Sequence, residues 1–225
     1  MEISIEDIVE KLTPLVIATQ NNGKIAEIKD LLNGFPVDVK SLDDFGPIPA
    51  VEEDGETFDD NAYKKASFTS RILGMPALAD DSGLLVEALS GAPGVHSARY
   101  AGENASDAQR CIKLLKEMEH QTNRNAAFVG VISIAVPTGP ALTYEAGCQG
   151  QITFEPEGEN GFGYDPVFYY PPLDKTFAQL TREEKSRVSH RGKALSELKN
   201  EFDKVLTWIH RHMDVNTCLN TTSQQ

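Results

Sequence analysis

The stretch Ala77–Gly102, ALADDSGLLVEALSGAPGVHSARYAG, constrains the fold more than any other part of the chain. An apolar approach, Ala77-Leu78-Ala79, runs directly into the adjacent carboxylates Asp80 and Asp81, then Ser82-Gly83, then a second hydrophobic segment from Leu84 to Leu89. This pattern predicts a strand that ends at a turn bearing both acids. Two ionised carboxylates where an apolar element surfaces lose hydration that a cation, donors or water must replace. A helix cap at Asp81 or Ser82, with Gly83 easing the turn, uses one acid and leaves the other unexplained. A divalent-metal site in which one acid also activates water uses both.

The surrounding chain supplies strands and helices in alternation. Residues 1–13 form an extension with a short amphipathic pattern (Ile3, Ile5, Ile8, Val9, Leu12), and residues 14–213 form one domain. From Pro14 the run LVIAT predicts a strand buried on both faces. It ends in Thr19-Gln20-Asn21-Asn22-Gly23-Lys24, and Ile25, Ile28, Leu31 and Leu32 then recur at helical spacing up to Asn33-Gly34. Polar groups and a lysine therefore stand at a helix start, where free N–H groups favour an anion. Val37 to Leu42 is a second strand, followed by a loop carrying Glu52 and Glu53. A helix covers about Thr57 to Leu73, with Lys64 and Lys65 off its apolar stripe.

Ser106 and Gln109 have capping-box spacing before another helix, as do Thr181 and Glu184. Ala126–Val136 and Ala141–Phe154 predict an antiparallel ribbon across Pro137-Thr138-Gly139-Pro140. The following EPEGENGFGYDPVFYYPP is too irregular for a strand and too apolar for a linker, which marks a functional loop. A last helix opens at Ser189-His190-Arg191-Gly192 and carries one stripe from Leu195 to Ile209, and residues 214–225 form a polar tail that frays.

Composition narrows the partners. A formal net charge of -13 argues against polymeric nucleic acid, which is held by clustered Lys and Arg. The 3 cysteines are scattered without ligand spacing, and no window is apolar enough for a membrane span, so cytoplasm is the expected location. A small anion is the substrate class that fits, with acids, Mg²⁺ and phosphates completing one another. Lys24, Lys185, His190 and Arg191 would take phosphate or base oxygens, while Phe162 and Tyr164 stack on a heterocycle and Asp165 accepts from ring or sugar donors.

Five motifs together resemble one family: Thr19-x-Asn21-x-x-Lys24, Asp80-Asp81-Ser82-Gly83-Leu84, Gly91-Ala92-Pro93-Gly94 with Ser97-Ala98-Arg99-Tyr100, Gly161-Phe162-Gly163-Tyr164-Asp165-Pro166, and Ser189-His190-Arg191-Gly192. In this order, across Leu15 to Phe202, they are similar to the inosine triphosphate pyrophosphatase family. The resemblance implies an elongated α/β fold with a mixed central sheet flanked by helices, and two lobes with an intervening cleft. It implies a Mg²⁺-dependent homodimer that cleaves dITP, ITP or XTP to monophosphate and pyrophosphate. Carried over, Asp81 is proton acceptor and metal ligand, and Glu52 or Glu53 supplies another ligand. Thr19, Gln20, Asn21, Asn22, Gly23 and Lys24 hold phosphates; Ser82, Phe162, Gly163, Tyr164, Asp165, Lys185, His190 and Arg191 contact the nucleotide. Two positions depart from the family pattern, Gln20 for the usual Gly and His96 for the usual Tyr. A Maf-like enzyme of modified pyrimidine triphosphates and a non-catalytic nucleotide sensor are the competing readings.

Overall fold

The structure, a computed structural model, describes residues 12–49 and 51–222. Seven strands form one mixed sheet: β1 (Thr13–Ile17), β2 (Val37–Ser41), β3 (Ala77–Val86), β4 (Asn125–Ala135), β5 (Ala141–Ile152), β6 (Phe168–Tyr170) and β7 (Lys175–Thr176). Their spatial order is β2-β1-β3-β4-β5-β6-β7, parallel between β1 and its two neighbours and antiparallel from β3 onward. The helices are α1 (Asn22–Leu32), α2 (Phe58–Leu73), α3 (Asp107–Glu117), α4 (Arg182–Val188), α5 (His190–Asn200) and α6 (Phe202–Thr222). The α/β class and mixed sheet are as expected, and both capping boxes close, at Ser106/Gln109 and Thr181/Glu184. No helix is long and apolar enough to cross a membrane among the described residues.

Four expectations are corrected. β3 does not end at the acids but pairs with β4 at every position from Ala77 to Val86, so neither Asp81 nor Ser82 caps a helix. Phe168–Tyr170 is a strand after all, added to the edge of β5. Thr13 already belongs to β1, while the rest of the amphipathic pattern before Leu12 lies outside the described residues. The last helix is two, broken at Glu201, and α6 continues to Thr222 through most of the expected tail, since no Gly or Pro follows Phe202 to stop it.

Strand alternation sends Leu78, Asp80, Ser82, Leu84 and Val86 to one face of β3 and Ala79 and Asp81 to the other. On the first face, Leu78 joins a core with Leu15, Ile17, Ile132, Ile134 and residues of α5 and α6. Leu84 and Val86 join a second core with Phe128, Phe168, Phe177 and residues of α3. Asp80 and Ser82 occupy the interval between the two. The opposite face is closed by α2, whose Ala66 packs with Ala18, Ala79 and Ala135; such small residues let helix and sheet approach closely.

Candidate active site

The site begins where β1 stops. Ala18 N–H donates to the Leu78 carbonyl (2.7 Å), the last main-chain bond between the two strands. The Asp80 carbonyl points to the same edge two residues later and meets no strand there. Two lysines take it instead, Lys24 Nζ at 3.3 Å and Lys65 Nζ at 3.0 Å. Lys24 comes from the first turn of α1, which Asn21 caps by accepting from Lys24 N–H. Lys65 comes from α2 and is buried, contrary to the expectation that it lies off the packed face.

Asp80 is fully buried and heavily paired. Lys24 Nζ lies 2.6 Å from Oδ2, Arg191 Nε 2.9 Å from Oδ1 and Arg191 Nη2 3.2 Å from Oδ2, and Ser82 Oγ donates to Oδ2 at 3.1 Å. Burial opposes ionisation, but Arg191 and Lys24 outweigh it and hold the carboxyl well below the usual carboxylate range. Asp81, on the other face, has one cation, Lys65 Nζ at 2.7 Å from Oδ1. Here burial prevails over Lys65 and Lys24, and the carboxyl is raised. Glu53 Oε1 shares the same ammonium at 3.0 Å, and Arg99 Nη2 donates to the Glu53 carbonyl at 3.1 Å. Glu52 is exposed, so the structure separates two acids that the sequence leaves equivalent.

On the α5 side, Ser189 caps the helix and sets His190 and Arg191 in its first turn. Arg191 commits four of its five N–H groups, to Asp80, Ser82 and Glu27. Glu27 also accepts from Lys185 Nζ (3.1 Å), and Lys185 reaches Asp165 Oδ2 at 2.7 Å. His190 lies under Phe128, stacked at 4.9 Å, in space that exists because residue 130 is glycine: a Cβ there would stand 2.6 Å from the imidazole. Burial and then Arg191 push its pKa well below the ordinary value, so it is neutral, and its Nδ1 has no hydrogen-bond partner among the described residues.

Phe162 rests against the start of α1, where a Cβ on Gly23 would come within 2.7 Å of the ring, and Lys185 Nζ stands 4.6 Å from its centroid. Tyr164 is buried in the second core with its hydroxyl donating to Ser97 O (2.9 Å), so its ring is packing and not a free platform. Asp165 is buried, raised by burial, and its Oδ2 accepts from Lys185 and from Phe162 N–H.

These groups line two adjoining spaces. A pocket of about 100 Å³ is bounded by Asn21, Lys24, Ser82, Phe162, Gly163, Tyr164, Asp165, Lys185, His190 and Arg191. A larger cavity of about 610 Å³ shares Asn21 with it and is lined by Thr19, Gln20, Glu53 and Lys65 together with Pro47, Ile48, Pro49 and Val51. Asn22 and Gly23 belong to the first turn of α1. Gln20 carries no left-handed backbone; among described non-glycine residues only Ser90 and Asp174 do. Glu27 and Lys65 are the site residues the sequence did not yield. For Glu27 a signal exists, since positions 24, 27 and 28 share a helical face.

The fold and site define an α/β protein with a charged cleft at the end of one parallel strand, between two apolar cores. The chain belongs to the Ham1 family, whose model matches residues 15–201. It is 62% identical over 196 residues to a dITP/XTP pyrophosphatase of Syntrophobacter fumaroxidans, covering 87% of this chain and 84% of that protein. A dITP/XTP pyrophosphatase of Desulfotalea psychrophila is 56% identical, with 88% and 89% covered. A solved HAM1 protein from Coxiella burnetii superposes with a TM-score of 0.79 at 42% identity, covering 85% of this chain and 99% of that one.

Proposed function

We propose that this chain is a Mg²⁺-dependent pyrophosphohydrolase of non-standard purine nucleoside triphosphates, dITP, ITP and XTP, releasing the monophosphate and pyrophosphate. The names of its relatives support the substrate class. The observation that carries the chemistry is the contrast within Asp80-Asp81: one buried carboxylate is neutralised by Lys24 and Arg191, and the next shares the Lys65 ammonium with Glu53.

Asp81 accepts the proton of the attacking water, as the acid of the pair whose charge rests on the Lys65 ammonium it shares with Glu53. Lys24 and Lys65 flank the open edge of β3 and neutralise the phosphates that cross it, aided by the polar loop Thr19–Asn22. The base occupies the smaller pocket between Phe162 and neutral His190, where Lys185 and the remaining Arg191 N–H donate to a 6-carbonyl and face an amino group in adenine without an acceptor.

No group of three or more His, Cys, Asp or Glu is gathered as a metal cage among the described residues. Magnesium asks for less, one or two carboxylates beside substrate phosphates. Asp81 Oδ1 and Glu53 Oε1 converge on one cationic nitrogen, so they fit as those ligands. Bound there, the ion would add positive charge to the phosphates. The homodimer follows from the family resemblance, and free, buried Cys111 and Cys148 suit a reducing cytoplasm.

Incubation with Mg²⁺ and ITP, XTP, GTP, ATP or modified pyrimidine triphosphates tests this, with pyrophosphate and orthophosphate measured separately. Pyrophosphate from ITP and XTP, with little from ATP, is the expected result. Preference for the pyrimidines, or binding without turnover, overturns it.

A further inference from the structure

The loop that carries Phe162 is held from an unexpected direction. Asp107 is the first residue of α3, and its Oδ2 accepts from the Gly163 N–H at 2.6 Å across 56 residues of sequence. One turn later on the same helix, Cys111 Sγ donates to the Gly163 carbonyl at 3.4 Å. Burial pushes the Cys111 thiol up to about 11, which keeps it a donor. The two peptide units that flank the Gly163 Cα are thus gripped by residues i and i+4 of α3.

The grip lies at the most permissive point of the loop. Gly161 and Gly163 both have positive φ, at 77° and 66°, and Phe162 stands between them. Two glycines of this kind leave the intervening ring free to swing unless the neighbouring amides are tied. They are tied in succession, Phe162 N–H by Asp165 and Gly163 N–H by Asp107. Asp165 takes its place from Lys185, inside the pocket. Asp107 takes its place through Arg110, which also lines the pocket and whose guanidinium pairs with Asp107 Oδ1 and donates to the carbonyls of Ala98 and Ala105, each at 2.8 Å.

We infer that Asp107 is a positioning residue for base recognition: by fixing the Gly163 peptide it holds the Phe162 ring at the base end of the cleft, with Cys111 as the second, weaker tie. The inference rests on the proposed placement of the base beside Phe162. An acid at a helix start also favours the helix dipole, and that simpler role would affect stability without sorting KM from kcat.

The test compares Asp107→Ser and Asp107→Asn. Serine suits the first turn of a helix but is too short to reach Gly163; asparagine keeps an acceptor oxygen and loses the charge. If the bond acts through Phe162, Asp107→Ser raises KM for dITP about tenfold while kcat stays within about twofold, the size expected of a hydrogen bond to a charged group. Asp107→Asn then recovers most of the KM, and the Gly163 amide proton shifts upfield in the Ser variant while staying near its wild-type position in the Asn variant. An unchanged KM in folded Asp107→Ser overturns the inference, as does an Asn variant impaired as much as the Ser one. Phe162→Ala in the same assay probes the underlying reading separately: an unchanged KM there removes the ring from base binding, while the Gly163 resonance still decides whether Asp107 sets the loop.

Discussion

Asp80 and Asp81 are neighbours on one strand, equally acidic in composition, and lead opposite lives. Asp80 faces the side of the sheet covered by α1 and α5, where Lys24, Arg191 and Ser82 satisfy it fully. Asp81 faces α2, where it shares a single lysine with Glu53. A buried carboxylate with two cations is a structural anchor; one with half a cation keeps affinity for a proton or a metal. The strand's two-residue period alone separates them.

The largest expected effect is on the satisfied side. Arg191→Ala leaves Asp80 buried with Lys24 as its remaining ion pair, and loss of one partner of a buried pair costs about 3–5 kcal/mol. Denaturant unfolding should show this, with activity toward ITP falling further than activity toward ATP, since the Arg191 N–H left over from Asp80, Ser82 and Glu27 also reads the 6-carbonyl. A stable Arg191→Ala enzyme would show that Asp80 does not need Arg191, and equal losses on ITP and ATP would remove Arg191 from base reading. On the other side, Asp81→Asn should leave unfolding nearly unchanged and lower kcat by about 10²-fold or more. Turnover close to wild type in a folded Asp81→Asn protein would erase the contrast.

A smaller effect separates the two glutamates. Glu53→Gln should raise the Mg²⁺ concentration for half-maximal activity roughly tenfold, and Glu52→Gln should leave it in place. Equal shifts would mean that the pairing of Glu53 with Lys65 has no bearing on the metal. Smallest is Ser82→Ala, which removes one donor to Asp80 and should cost about 1 kcal/mol of stability. A thermal scan with Tm unchanged would show that the two cations satisfy Asp80 without it.

Local rules made much of this legible in advance. Capping boxes at Ser106 and Thr181, the β4–β5 ribbon and the loop from Thr19 into α1 are set by neighbours a few residues apart, and spacing reveals them. What escaped depends on partners far along the chain. β3 reads as ending at Asp80 because nothing nearby offsets an acid in a buried strand; the offset comes from Lys24 and Arg191, 56 and 111 residues away. Lys65 reads as lying off the packed face for the same reason, its partners being Asp81 and Glu53. Phe168–Tyr170 is too short to show a period and becomes a strand only because the edge of β5 is free to accept it. The separate fates of Glu52 and Glu53 follow from which one meets α2.

The unbroken pairing of β3 with β4 also bears on how this chain can vary in length. With ten residues in continuous register, adding or deleting one residue before Asp80 would turn each acid to the face its neighbour now holds. Asp81 would then meet Arg191 and Asp80 would meet Lys65, and the anchor and the reactive group would trade places while every residue type stayed the same. Substitution can tune this segment, but insertion and deletion are closed to it. Pro47–Pro49 and Val51, which line the larger cavity and belong to no strand, are where length change along the cleft can be absorbed.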